Sequence, residues 1–156
     1  MLQISVPGGP VLALEHLVLD YNGTLALDGN LLPGVAPRLR LLAERLQVHV
    51  VTADTFGGAS ERLDGLSLTL AVIGPQVQQA AKLGYVQALG TEGCAAVGNG
   101  ANDAGMLEAV ALGICVLGPE GAAETAARAA RVLAPGITAA LDLLLRPQRL
   151  VATLRE

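Results

Sequence analysis

The stretch LVLDYNGTLALDGNLL, residues 17–32, decides how the rest of the chain is interpreted. It begins as an apolar run that ends in Asp20, and it contains two turn signals, Asn-Gly at 22–23 and Asp-Gly at 28–29. Either dipeptide between apolar runs favours a two-residue β-hairpin turn. Two interpretations therefore compete. Asp20 is an ordinary residue before a hairpin, or it is a functional carboxylate at the end of a buried strand.

Short apolar runs alternate with segments of helical periodicity along most of the chain. LQISV and PVLAL predict an opening hairpin, and HLVL, VHVV, LTLAVI, CAAV and ICVL predict buried strands because they lack polar alternation. Segments such as GVAPRLRLLAERL and PQVQQAAKLGYVQALG predict the intervening helices. This order predicts a Rossmann-like three-layer α/β/α sandwich with a mainly parallel central sheet. The 156 residues suit one domain, residues 1–156.

Composition argues against several classes of partner. The net charge is −4 and no basic run occurs, so we expect no nucleic-acid binding. No apolar stretch reaches the roughly 18 residues of a membrane span, and the first ten residues lack a signal-peptide pattern, so we expect a cytoplasmic protein. Cys94 and Cys115 lie in apolar runs and are interpreted as buried small side chains rather than as disulfide or metal ligands.

Polar residues follow three of the predicted strands: Asp20, Thr52 and Asn99. Open α/β sheets bind ligands at the carboxyl ends of their strands, so these residues are the first candidates for a site. Lys82 lies early in the helix after LTLAVIG and is the only lysine, since the nine other basic residues are arginine. Lysine usually lies in solvent, but this usage favours a specific demand for a compact ammonium group.

These segments resemble the four motifs of the haloacid dehalogenase superfamily, in the same order. The motifs are DYNGT at 20–24, Thr52 in VVTAD, Lys82, and GNGANDAGM at 98–106. The last also resembles the GDGxND segment of P-type ATPases, and the closest resemblance is to their small, soluble, capless relatives. In that superfamily a hairpin flap follows the nucleophile. LALDGNLL supplies such a flap, and no segment is long enough for a cap domain.

The resemblance implies a phosphohydrolase in which Asp20 attacks phosphorus and forms an aspartyl-phosphate. The implied catalytic set is completed by Asn22, Thr52 and Lys82. The implied phosphate contacts are hydroxyl, ammonium, amide and backbone N–H groups of Tyr21, Asn22, Gly23, Thr52, Lys82 and Asn102.

The resemblance also implies Mg²⁺ as the cofactor. Its implied ligands are the Asp20 carboxylate and the Asn22 carbonyl, with Asn99 and Asp103 as further candidates. Asn102 and Asp103 also fit an ordinary helix cap, and capping is compatible with anion binding at a helix N-terminus.

Two acidic positions of the superfamily pattern are amides in this chain. Typical phosphatases have aspartate at the position of Asn22, where it protonates the leaving group and activates water. General acid–base catalysis of this kind is worth about 10²- to 10⁴-fold, and asparagine provides none of it. Asn99 stands where the superfamily pattern has a magnesium-binding aspartate, and an amide oxygen is a weaker ligand for this cation. Asp103 is a candidate to supply the missing carboxylate. We therefore expect weak magnesium binding and slow turnover of poor leaving groups.

Three functions stay open at this point. The first is the slow phosphohydrolase, acting on a phosphorylated substrate of unknown class, with a homo-oligomeric partner as one way to cover its open site. The second is a catalytically weakened regulatory module that binds phosphate. Retention of Asp20 favours the enzyme, because a carboxylate aimed at phosphate repels it. The third is a receiver domain, against which the hairpin and the GNGAND segment argue.

Overall fold

The computed structural model describes residues 1–54 and 57–156. The strands are β1 Leu2–Ser5, β2 Val11–Leu14, β3 His16–Asp20, β4 Ala26–Leu27, β5 Asn30–Leu31, β6 Gln47–Thr52, β7 Thr69–Val72, β8 Cys94–Gly98, β9 Leu112–Val116 and β10 Val132–Ala134. The helices are α1 Val35–Ala43, α2 Ala59–Arg62, α3 Gln78–Leu89, α4 Ala104–Ala109, α5 Glu124–Ala129, α6 Ile137–Leu145 and α7 Pro147–Leu154. Short 3₁₀ turns occupy Thr91–Gly93 and Ala101–Asp103.

The central sheet has six strands in the order β10-β9-β8-β3-β6-β7, and every pairing in it is parallel. In the middle, β3 pairs with β6, where Asp20 lies opposite Val51, and with β8, where Leu19 lies opposite Val97. Parallel pairing brings the carboxyl ends of these strands to one edge of the sheet. The predicted Rossmann-like α/β fold with a mainly parallel sheet is confirmed.

Two small hairpins flank this sheet. The predicted opening hairpin is formed by β1 and β2, with Leu2 opposite Leu14. The second joins β4 to β5 through Asp28 and Gly29, whose φ angles of 50° and 80° are those of a type I′ turn. The flap predicted at 28–29 is therefore confirmed, and the Asn-Gly dipeptide at 22–23 does not form the hairpin.

Apolar side chains cover both faces of the sheet and make the three layers. One face packs against α1, α6 and α7, and the other packs against α3, α4 and α5. The core contains mostly Leu, Val, Ile and Ala, as the scarcity of aromatic residues requires. Cys94 and Cys115 are free, buried thiols on the second face, as predicted. No helix in the two described ranges is both long and apolar enough to span a membrane.

A chain of polar side chains joins two strands to helix α3. His16 Nδ1 lies 3.1 Å from His49 Nε2, and His49 Nδ1 lies 3.0 Å from the Tyr85 hydroxyl. Burial, and then the neighbouring His16, lower the pKa of His49, so this ring stays neutral at pH 7. Both histidines are therefore satisfied strand residues, and the contact with Tyr85 fixes helix α3 against β6.

Two glycines test how closely the helices approach the sheet. A Cβ on Gly113 would meet the backbone of Leu107 in α4, whereas a Cβ on Gly84 in α3 would meet open space. Gly113→Ala should destabilise the protein by about 2–4 kcal/mol, because backbone atoms cannot yield as a flexible side chain can. Gly84→Ala should stabilise it by about 0.5–1 kcal/mol through helix propensity. Urea unfolding of both variants beside wild type measures the two free energies, and equal effects would contradict this packing.

Candidate functional site

A cavity of about 250 Å³ lies at the carboxyl ends of β3, β6 and β8. Five of the residues predicted from sequence line it: Asp20, Asn22, Thr52, Asn99 and Asn102. The other residues around it are Ala53, Gln78, Gly100 and Glu120. The sheet topology thus brings together side chains that are up to 100 positions apart in the sequence.

Lys82 lies beneath this cavity and contacts two carboxylates. Its Nζ is 2.7 Å from Asp20 Oδ1 and 2.7 Å from Asp103 Oδ1. The side chain is only 1% exposed, so Lys82 is not a solvent-exposed helix residue. Burial by itself lowers the pKa of Lys82, but the two carboxylates outweigh burial and the net pKa is raised. The lone lysine is therefore a permanently charged ammonium at the base of the site.

Asp20 is the last residue of β3 and is almost completely buried. Lys82 donates to its Oδ1, and the Thr24 hydroxyl donates to its Oδ2 at 3.1 Å. Burial and the nearby charge of Asp103 raise the pKa of Asp20 to about 6, although Lys82 and Thr24 oppose the change. Ionisation of Asp20 is therefore less favourable in the folded chain than in water, despite the contact with Lys82.

Asp103 is fully buried and uses both of its oxygens within the protein. Oδ1 accepts from Lys82, and Oδ2 accepts from the backbone N–H groups of Asn99 and Gly100 at 3.0 and 2.9 Å. Asp103 is not among the residues that line the cavity. Its contacts fix the loop after β8 and hold the ammonium group in place.

The two amides that replace acids lie in the cavity wall but differ in their partners. Within residues 1–54 and 57–156, Asn22 Oδ1 is a buried oxygen without a hydrogen-bond donor. An unmet acceptor of this kind costs about 1–3 kcal/mol, so it favours a missing ligand at this point. Asn99 has partners for both side-chain atoms: Nδ2 donates to Gly121 O at 3.1 Å, and Oδ1 lies 3.2 Å from the Thr24 hydroxyl, whose single proton it shares with Asp20 Oδ2.

The other residues predicted to bind phosphate, Thr52, Asn102 and Tyr21, differ in their hydrogen-bond partners. The Thr52 hydroxyl accepts from Asp54 N at 2.9 Å, which leaves its own proton to donate. Asn102 Nδ2 donates to Gln78, and its Oδ1 lies 3.4 Å from the Lys82 ammonium. The Tyr21 side chain points away and donates to Gly29 O, so it holds the flap.

The backbone around Gly23 forms a tight loop between the nucleophile candidate and the flap. Gly23 has a φ of 81°, and its N–H donates to Ala26 O at 2.8 Å. Tyr21 O accepts from the backbone N–H groups of Leu25 and Ala26 at 2.8 and 3.0 Å. The Gly23 N–H is therefore already hydrogen bonded within the loop, and it is not available to bind phosphate as predicted.

Sequence reasoning missed Gln78 and Glu120. Gln78 opens α3 and orients Asn102, whereas Glu120 lies in a turn between β9 and α5. A Cβ on Gly23 would meet both the Glu120 carboxylate and the Asn99 amide, so the three residues are close neighbours. The signal was present in the sequence: GPEG directly follows the strand ICVL, which ends at the same edge of the sheet as β8.

Solved structures similar to this chain share its architecture over most of its length. The deoxy-D-mannose-octulosonate 8-phosphate phosphatase of Haemophilus influenzae, in a cobalt-bound form, has a TM-score of 0.72 with 16% identity over 92% of this chain and 94% of its own. The 3-deoxy-D-manno-octulosonate 8-phosphate phosphatase of Moraxella catarrhalis, in complex with magnesium, phosphate and the sugar acid, has a TM-score of 0.67 with 18% identity, covering 92% of this chain and 95% of its own. A Legionella pneumophila protein described as a haloacid dehalogenase superfamily hydrolase has a TM-score of 0.67 with 20% identity, covering 91% and 89%. The chain has the haloacid dehalogenase fold.

Comparisons at the level of sequence give relatives but no activity. No family model matches this chain. Two uncharacterized proteins of Methanocaldococcus jannaschii are 46% identical to it. One matches over 39 residues, which are 25% of this chain and 89% of the relative. The other matches over 61 residues, which are 39% of this chain and 66% of the relative.

The raised pKa of Asp20 leads to a stability prediction. Asp20→Asn should raise the free energy of unfolding of the metal-free protein by on the order of 1–3 kcal/mol at pH 7.5, because no carboxylate ionises at position 20 and Lys82 keeps Asp103 as its charged partner. The folded-state pKa of Asp20 lies above its unfolded value. The free energy of unfolding of wild type therefore falls as the pH rises from about 4 through about 6, where Asp20 loses its proton in the folded state. The advantage of the variant should therefore appear over that window and stay constant above it.

Thermal and urea unfolding between pH 4 and 8 measure this difference. Asp28→Asn is the matched control, because Asp28 is an exposed flap residue at positive φ, a conformation that asparagine also adopts. A variant at position 20 that is less stable than wild type at pH 7.5 would contradict the charge balance described here.

Proposed function

We propose that this chain is a magnesium-dependent phosphohydrolase that acts through an aspartyl-phosphate on Asp20. The observation that carries the proposal is the placement of Asp20 at the end of the central strand. One of its oxygens is held by the Lys82 ammonium, and the residue borders an open polar cavity. The similar structures include enzymes named as phosphatases of a phosphorylated sugar acid, which supports phosphate-ester chemistry in this fold.

In this proposal the side chains at the cavity have different roles in phosphoryl transfer. An Asp20 carboxylate oxygen forms the new bond to phosphorus, and the leaving-group oxygen departs with the electron pair of the bond that breaks. Lys82 offsets negative charge on the transferred group, and the Thr52 hydroxyl, which accepts from Asp54 N, donates its proton to a phosphoryl oxygen. Water then cleaves the aspartyl-phosphate, which releases phosphate and regenerates Asp20.

The residues of the cavity fit a divalent cation. The Asp20 carboxylate and the unpartnered Asn22 oxygen are oxygen donors in one wall, and Mg²⁺ takes only oxygen ligands. Within the described residues no cluster of three His, Cys, Asp or Glu side chains converges on one point. Magnesium does not require such a cluster, since it commonly keeps several waters beside one or two carboxylates. When bound, the cation supplies positive charge to a phosphate group that the site otherwise repels.

The second candidate function is a weakened phosphate-binding module. The observation that favours it is the presence of amides, Asn22 and Asn99, in the cavity wall where the superfamily pattern has acids. In that case phosphate or a phosphorylated ligand occupies the cavity without rapid turnover. The substrate class is open in both cases, and the exposed rim at Glu120 leaves room for a large ligand or for a second copy of the chain.

A phosphate-release assay separates the two functions. We expect wild type to release phosphate from aryl and acyl phosphates in the presence of Mg²⁺, because these leaving groups need no proton. Asp20→Asn should lose this activity, and chelation of the metal should abolish it. Asp28→Asn is the charge-matched control and should keep it. If wild type releases nothing from a broad panel of phosphoesters and acetyl phosphate, the binding module becomes the better proposal.

Asn22→Asp tests the missing general acid. The variant should turn over alkyl phosphates about 10²- to 10⁴-fold faster than wild type, with a much smaller gain on aryl phosphates, because a carboxyl at position 22 can protonate the leaving group. Asn30→Asp makes the same chemical change in the exposed flap and should have no effect. Equal rates for wild type and Asn22→Asp on both leaving-group classes would show that the site is not shaped for this chemistry.

A further inference from the structure

The loop after β9 is a tight turn tied to the cavity wall. Gly121 N–H donates to Gly118 O at 2.9 Å and closes a four-residue turn that carries Glu120 at its third position. The turn lies against the loop after β3, since a Cβ on Gly118 would lie 3.1 Å from Gly23 O. Glu120 is therefore carried on a fixed backbone.

Asn99 provides two of the contacts that hold this turn. Its side-chain Nδ2 donates to Gly121 O at 3.1 Å, and its backbone oxygen accepts from Ala123 N–H at 2.8 Å. The first contact requires an amide. An aspartate at position 99 has no side-chain donor, so a carboxylate oxygen would face the Gly121 carbonyl oxygen and repel it. The substitution that removes an acid from the site thus also creates the hydrogen bond that holds the Glu120 turn.

Glu120 is directed into the same part of the cavity. Its carboxylate and the Asn99 amide would both collide with a Cβ placed on Gly23, and Glu120 lines the cavity together with Asp20 and Asn22. Among the ion pairs of the described residues, none involves Glu120. A carboxylate beside a phosphate site with no cationic partner would weaken phosphate binding, unless a cation lies between them.

We propose that Glu120 supplies the second carboxylate of the divalent-cation site, in place of the acid absent at position 99, and that Asn99 positions the turn that carries it. This inference rests on the proposed cation dependence of the site. It assigns to Glu120 the compensating role for which sequence reasoning suggested Asp103.

The contacts of Asp103 argue against that role for it. Both of its oxygens are engaged, one by the Lys82 ammonium and the other by two backbone N–H groups, and the residue is fully buried behind the cavity wall. Glu120 is exposed and has no such contacts to break. With Glu120, the cavity wall holds two carboxylates, which is a usual number for a protein-bound magnesium ion.

Direct cation binding tests the inference without turnover. Metal-free wild type, Glu120→Gln, Glu124→Gln and Asp20→Asn are titrated with Mg²⁺ by calorimetry and with Mn²⁺ by electron paramagnetic resonance. Glu120→Gln should weaken both cations by at least about 10-fold, the scale of loss for groups that bind or orient a metal. Glu124→Gln, an exposed acid four residues further along, should change affinity less than about twofold because it lies outside the site.

The outcomes separate this inference from the proposed function. Wild-type affinity in Glu120→Gln, with affinity lost in Asp20→Asn, overturns the role of Glu120 and leaves the proposed function standing. Failure of wild type to bind either cation overturns both. An equal loss in Glu120→Gln and Glu124→Gln also overturns the inference, because it would report only general charge.

A second variant pair tests the exchange between positions 99 and 120. In the Glu120→Gln background, Asn99→Asp should recover most of the lost Mn²⁺ affinity, because it returns a carboxylate to the site. Any displacement of the turn by Asn99→Asp no longer matters in this background, because the turn carries no carboxylate at position 120. Far-ultraviolet circular dichroism checks that each variant is folded. Absence of recovery in a folded double variant would overturn the exchange of the acid between the two positions.

Discussion

The contact of one buried ammonium group with two carboxylates organises the site. Lys82 Nζ lies 2.7 Å from both Asp20 and Asp103, and the three residues come from β3, α3 and the 3₁₀ turn before α4. A buried charge is tolerated when it is paired and hydrogen bonded, and loss of one partner can cost about 3–5 kcal/mol. Removal of Lys82 would leave two carboxylates facing each other. The central strand, one covering helix and the loop after β8 therefore depend on a single side chain.

The parts of this structure that follow from local patterns were predictable. Unbroken apolar runs predicted the strands. The single lysine among ten basic residues predicted a specific role for Lys82. The Asp-Gly signal at 28–29 predicted the flap, because both residues must adopt positive φ in a type I′ turn. Asp20, Thr52 and Asn99 meet at one edge because parallel strands carry their carboxyl ends together.

The parts that depend on side-chain direction were not predictable from the sequence. Whether Asp103 faces the cavity or the Lys82 ammonium is decided by the 3₁₀ turn that precedes α4, which has no distinct sequence signature. Glu120 becomes visible only when a turn two strands away from β3 is seen against Gly23. The motifs thus predicted which residues meet at one cavity, whereas the contacts of each carboxylate follow from the three-dimensional packing.

The hydrogen bonds of two glycines also bear on the chemical ageing of the chain. Asparagine followed by glycine tends to deamidate, because the glycine nitrogen attacks the side-chain carbonyl to form a succinimide. The nitrogen that would attack Asn22 is held by Ala26 O, and the one that would attack Asn99 is held by Asp103 Oδ2 at 2.9 Å. Because both glycine N–H groups are engaged in hydrogen bonds, the fold disfavours succinimide formation at the two amides of the cavity wall.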